Sequence, residues 1–97
     1  MLVLVAYDIN TESLKGRKRL KTVAKICESY GQRIQNSVFE CIFDNSQLVR
    51  FKNDIKSIID EDEDSISLYI IGNSYEGRVI KLGKDRVAYK QDGILII

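Results

Sequence analysis

Asp8 closes an apolar run, Met1-Leu-Val-Leu-Val-Ala6, and is followed by a polar stretch with Asn10, Thr11 and Ser13. A carboxylate at a strand end is fixed by the rigid sheet while it faces water. Magnesium takes hard oxygen ligands of this kind, commonly one or two carboxylates completed by water and substrate phosphate. One Asp per chain is thin for that role; two copies meeting across a dimer axis would suffice. The bland alternative is an ordinary turn or cap residue. Six basic residues, Lys15, Arg17, Lys18, Arg19, Lys21 and Lys25, follow with no acid among them. Three of these crowd a helix start, where the macrodipole disfavours each cation by about 0.3–1 kcal/mol. A phosphate partner would offset that penalty. Phosphate-binding charge beside a potential metal ligand is the arrangement of a nuclease, and a solubilising lysine face is the competing reading.

Other candidates are less pointed. Arg33, Gln35, Asn36 and Ser37 form a polar string that could hold nucleic-acid backbone or satisfy a hairpin turn. Tyr7 and Phe39 read as core or interface rather than base-stacking platforms. Tyr75 and Tyr89 stay unassigned. Asp60-Glu61-Asp62-Glu63-Asp64 invites a metal assignment. Its consecutive spacing points the side chains in different directions, and it lacks the glycine and final Glu of an EF-hand. It reads as a solvated loop or a charged surface for a basic protein partner.

Composition removes whole classes of chemistry. There is no histidine, hence no Ser-His-Asp or Cys-His catalysis and no imidazole base. Cys27 and Cys41 do not form a C-x-x-C pair and cannot make a zinc site alone. They read as reduced core fillers of a cytoplasmic protein. Hydrophobic residues make up 44% and charged residues 30% of the 97, the profile of a soluble domain. No run approaches the roughly 20 apolar residues of a membrane span, and the start lacks the basic region of a signal peptide. Net charge is only +1, fifteen basic residues against fourteen acidic ones, but the basic residues are clustered.

These side chains need elements to position them. Met1–Ala6 suits a central strand. Leu20, Val23, Ala24 and Cys27 repeat at helical spacing and predict a helix ending near Tyr30, with Gly31 to stop it. On that wheel Lys18, Lys21 and Lys25 lie opposite the core and Arg17 nearer its flank. Arg33–Phe43 is β-rich, either two short strands about Asn36-Ser37 or one kinked strand. Leu48, Phe51, Ile55 and Ile58 predict a second helix over 46–59. Ser65–Ile71 alternates as a strand, Arg78–Leu82 could add another, and Ile94–Ile97 is an apolar tail. The order is β-α-β-β-α-β, an α+β, ferredoxin-like sandwich in one domain spanning 1–97. The tail either packs on its own chain or joins a neighbour's sheet edge.

Three blocks resemble a known family: Tyr7-Asp8-Ile9, then Lys18–Lys25, and above all Tyr30-Gly31-Gln32-Arg33-Ile34-Gln35-Asn36-Ser37-Val38-Phe39-Glu40-Cys41. They are similar to the small CRISPR-associated Cas-two endonucleases, and most like the branch accompanying type I-C systems. The likeness continues through Asp64–Tyr69 and Gly72. It implies a homodimer whose two Asp8 carboxylates hold Mg2+ or Mn2+ and hydrolyse RNA, double-stranded DNA or both. Carried over by position, the resemblance implies that Asp8 is the catalytic and metal residue. It implies that Arg33 and Ser37 contact nucleic acid with Tyr7 and Phe39 in support; Arg17 and Arg19, or Lys15 if the loop is gapped differently, stand for its helix-start arginines, and Lys18 lies between them as a further candidate contact. The resemblance also implies a scaffold role beside the larger CRISPR integrase in spacer acquisition. It further implies a C-terminal strand, within about 78–97, exchanged between subunits. After Gly83 the sequence departs from the family, which often has Pro where Gly93 stands.

Two rivals stand beside a nuclease. One is a non-catalytic scaffold on the same fold that holds spacer DNA and bridges the integrase. The other is a ferredoxin-like regulatory dimer for a small ligand, which predicts no salt-dependent nucleic-acid binding. No side chain is suited to act as general base at neutral pH, so a nuclease must rely on its metal ion.

Overall fold

The computed structural model describes residues 1–72 and 78–84. Along the chain run β1 (Leu2–Asp8), α1 (Leu14–Glu28), β2 (Gly31–Gln35), β3 (Val38–Ile42), α2 (Asn45–Ile58), β4 (Ser65–Ile71) and β5 (Arg78–Gly83). The strands form one antiparallel sheet in the order β2-β3-β1-β4-β5. This is the expected α+β, ferredoxin-like order with a fifth strand added. In this single chain β5 lies on β4 of the same chain, Ser65 pairing with Gly83 and Ile70 with Arg78. The apolar tail 93–97, Tyr75 and Tyr89 lie outside the described residues.

The start of α1 is set locally. Ser13 caps it, its hydroxyl accepting the Gly16 N–H at 3.0 Å. Gly16 is buried, and a Cβ there would collide with the Asn10 carbonyl, so the helix start presses on the loop that follows Asp8. Val23 and Cys27 are buried along the predicted stripe. The helix stops at Glu28, and Gly31 opens β2 instead of ending α1. A Cβ at Gly31 would strike the Glu40 carbonyl, so this position is kept bare by a neighbouring strand. Asn36 and Ser37 make the hairpin turn, deciding for two strands, and the register slips between Arg33 and Gln35.

A reciprocal capping box starts α2: Asp44 Oδ1 accepts the Gln47 N–H at 2.8 Å, and Gln47 Oε1 accepts the Asp44 N–H at 2.9 Å. Leu48, Phe51 and Ile55 then face the core. Tyr30, Phe43 and Phe51 pack ring against ring at centroid distances of 5.0 to 5.8 Å.

Alternation along the strands sorts residues between two faces. Val3, Val5, Tyr7, Phe39, Cys41, Ile66 and Leu68 are buried beneath the helices. The opposite face carries Leu2, Leu4, Ala6, Val38, Ser67, Tyr69 and Ile71, all half-buried, with Ile42 63% exposed. Asp8 continues the second set. It therefore belongs to the side of the sheet that no helix covers.

Candidate metal and nucleic-acid site at the end of β1

Asp8 is the last residue of β1, exposed, and paired in register with Ser65 of β4. Two tied segments flank it. On the β3 side, the Tyr7 N–H donates to the Ser37 carbonyl at 3.0 Å, drawing the 36–37 turn against the strand end. Arg33 Nη1 donates to the Asn36 carbonyl at 2.7 Å, and the Tyr7 hydroxyl reaches the same oxygen at 3.5 Å. Arg33 also lies over the Phe39 ring, 5.0 Å from its centroid, and its Nη2 is 3.7 Å from Glu28. Tyr7 stacks near Phe39 at 6.2 Å. Burial pushes the Tyr7 phenol above its usual value, the Arg33 charge opposing. It stays protonated at neutral pH.

On the β4 side the organising residue is Asp64. Its Oδ1 accepts the Asn10 N–H at 3.0 Å and Arg19 Nη2 at 3.2 Å. Its Oδ2 accepts Arg19 Nε at 2.7 Å and the Asp60 N–H at 2.9 Å. Burial alone would raise this carboxyl. Hydrogen bonds from Arg19, Asp60 and Asn10, and then the Arg19 charge, outweigh it and hold Asp64 below the usual carboxylate range. Asn10 Nδ2 adds a 2.7 Å bond to Glu63.

The basic residues therefore divide. Lys15, Lys18, Lys21 and Lys25 are exposed along α1 and provide a cationic face. Arg17 is exposed, with Nη1 donating to the Thr11 carbonyl at 3.1 Å. Arg19, expected to meet nucleic acid, instead spends two of its donor nitrogens on Asp64 and is 18% exposed. Ser37 is half-buried, and its carbonyl serves Tyr7. Thus Tyr7, Arg33 and Phe39 come together with the 36–37 turn on the helix-covered face near the end of β1, while Asp8 closes that strand on the opposite face and Arg17 and Lys18 lie on α1.

The acidic run is not uniformly solvated. Asp60 to Glu63 are exposed as a solvated loop would be, but Asp64 is completely buried. Reading five consecutive acids as one segment concealed it. The available signals were its place directly before an alternating strand and the position of Arg19 beside the apolar stripe of α1. Cys27 and Cys41 are free and buried, their thiols pushed by desolvation up to about 12 and about 11. They fill core space, as expected. Among the described residues no three or more metal-binding side chains cluster, and no helix is long and apolar enough to cross a membrane.

The chain is similar to several known proteins. The endonuclease Cas2 of Halalkalibacterium halodurans is 53% identical over 83 residues, 86% of either chain. The endoribonuclease Cas2 of Nitratidesulfovibrio vulgaris is 39% identical over 97 residues, covering 100% of this chain and 94% of the relative. The crystal structure of Streptococcus pyogenes Cas2 at pH 6.5 superposes with a TM-score of 0.70 at 56% identity. That match covers 74% of this chain and 87% of the other. The family model described as CRISPR associated protein Cas2 matches residues 1–79, which takes in β1 to β4 and both helices. By sequence and by fold, the chain belongs to the Cas2 family.

Proposed function

We propose that the chain acts as a cytoplasmic homodimer that hydrolyses phosphodiester bonds in RNA or double-stranded DNA, using Mg2+ or Mn2+, within the CRISPR adaptation module. The placement of Asp8 carries this reading: an exposed carboxylate on the uncovered side of the sheet, at a strand end tied on both flanks. The endonuclease and endoribonuclease names of the relatives support it. Leu2, Leu4 and Ala6 share a side of β1 with Asp8 and leave a half-buried apolar face. A second copy packed on that face would bring two Asp8 residues to one edge.

One chain fits half of a metal site. Its described residues offer no cluster of three ligands, whereas two Asp8 carboxylates with water and phosphate match the hard-oxygen preference of Mg2+. Such an ion, when bound, polarises the scissile phosphate and makes water a nucleophile near neutral pH. The protein's own part is binding and orientation. Arg17 and Lys18 meet the phosphate backbone at the start of α1, and Arg33 with Ser37 borders the opposite flank. Tyr7 and Phe39 hold Arg33 in place.

The test is cleavage of labelled double-stranded DNA and single-stranded RNA with Mg2+, Mn2+ or chelator, beside Asp8→Asn and a mock preparation. Metal-dependent cleavage that Asp8→Asn abolishes is the expected result. Cleavage surviving in Asp8→Asn would assign it to a contaminant and remove the nuclease reading.

A scaffold bridging the CRISPR integrase and holding spacer DNA is the second reading. One observation favours it: Arg17, Arg19 and Arg33 each donate to groups of their own chain, so less of the cationic charge is poised for a reacting phosphate. It predicts tight, salt-dependent DNA binding that Asp8→Asn leaves unchanged.

A further inference from the structure

We infer that Asp64, held by Arg19 and acting through the Asn10 N–H, is a positioning residue for Asp8, and that Arg19 is part of this device rather than a phosphate contact. The inference rests on the nuclease reading of Asp8. Asp64 and Asp8 are neighbours across the β1–β4 ladder, because Ser65, one residue after Asp64, pairs with Asp8. The Asp64 carboxylate holds the N–H of Asn10, two residues beyond Asp8, and so fixes the direction in which the chain leaves the strand.

Little slack remains around that bond. Asn10 is pressed from one side by the start of α1, where Gly16 has no room for a Cβ. Asp64 is pressed from the other by Gly83, whose φ of +94° and close approach to the Asp64 carbonyl leave no room for a side chain. The Asp64 main chain is pinned as well, its N–H donating to the Asp60 carbonyl at 2.8 Å and its carbonyl accepting the Lys84 N–H at 2.7 Å. The β1–α1 loop, α1 and the loop before β4 thus converge on the Asp64 side chain, and the end of β5 on its main chain.

The role of Arg19 follows from its geometry. Nε and Nη2 both donate to Asp64, a side-on two-point contact that fixes the plane of the guanidinium. A phosphate would have to compete with a buried carboxylate for that group. A positioning role converts directly into rate, since misplacing a reacting group by about 1 Å can cost on the order of 100-fold.

The test compares Asp64→Asn, Arg19→Gln, Arg19→Lys and the Asp64→Asn/Arg19→Gln double variant in metal-dependent cleavage. Binding is measured across a salt series. Positioning predicts that kcat falls about 10- to 100-fold in Asp64→Asn and in Arg19→Gln, while KM and the salt slope of binding stay at wild-type values. The double variant should lose no more than the worse single change, because the pair acts as a unit. Arg19→Lys should recover little, lacking the two-point fork. A salt slope reduced by about 0.9, with raised KM and unchanged kcat, in Arg19→Gln alone would make Arg19 a phosphate contact and overturn the inference. Wild-type kcat in both single variants would overturn it too. If the wild-type protein does not cleave, the nuclease reading falls by itself. Amide hydrogen exchange over residues 8–10 then decides: faster exchange in Asp64→Asn supports the clamp, and unchanged exchange refutes it. Should Asp64→Asn fail to fold, the Arg19 variants carry the same comparison.

Discussion

Replacing Asp64 by Asn should cost this small domain a large part of its stability, by an amount that depends on pH. The substitution keeps the size of the side chain and removes the charge. At most one oxygen remains to serve four donors, two from Arg19 and one each from the Asn10 and Asp60 backbones. Removing one partner of a buried pair typically costs 3–5 kcal/mol. Arg19, 18% exposed, can turn partly to water, which places the expected loss near the lower limit, about 3 kcal/mol. For a domain of this length that is a fall in Tm of roughly 12 to 24 °C.

The sign with pH follows from the direction of the Asp64 shift. Its folded carboxyl titrates below the unfolded one, so its contribution is complete above the ordinary Asp range and disappears as pH falls through the folded value. The gap between wild type and Asp64→Asn should be full at pH 7 and narrow progressively below about pH 4. Urea unfolding by far-ultraviolet circular dichroism, at one protomer concentration so that self-association is constant, measures this. A loss under about 1 kcal/mol, or a gap as wide at low pH as at pH 7, would refute a paired, buried Asp64.

Further perturbations examine other layers of the molecule. Ile42→Glu places a charge on the uncovered sheet face; it should weaken self-association at least about 10-fold by sedimentation while leaving monomer stability within about 0.5 kcal/mol. Gly16→Ala would gain about 1 kcal/mol by helix propensity alone, yet the new methyl meets the Asn10 carbonyl, and chemical denaturation should reveal a net loss of about 1–3 kcal/mol. Cys27 and Cys41, with thiols pushed to about 12 and about 11, should resist a thiol reagent in the native protein at pH 8 and react once urea unfolds it.

The architecture explains why a fold of this size can carry a site at one strand end. Asp8 sits between two neighbours of β1, and each side supplies its own tie: the hairpin turn through Tyr7 and Arg33, the β4 side through Asp64. The ties draw on charged residues that would otherwise be free to meet solvent phosphate. On the proposed function, binding charge is then left mainly to the α1 lysines and the unspent donors of Arg17 and Arg33. This division separates positioning from attraction within a short stretch of chain.

Much of this was legible in the residues alone, wherever the information is local. Period-3.6 spacing in α1 and α2, period-2 spacing in β4 and the apolar run of β1 each declare their element. The run ending at Tyr7-Asp8 placed a carboxylate at a strand end before any coordinates. The blocks around Tyr7-Asp8 and Tyr30–Cys41 carried the family. What needed the tertiary structure is whatever depends on residues distant in sequence. Asp60 to Asp64 look alike in a row, and the partners that hold the buried Asp64, Arg19 and Asn10, lie 45 and 54 residues away. Arg19 and Lys18 are adjacent cations, yet a helical step of about 100° turns one toward β4 and the other to water. The sidedness of Asp8 follows from strand alternation, but that its side is the uncovered one depends on which face the two helices chose.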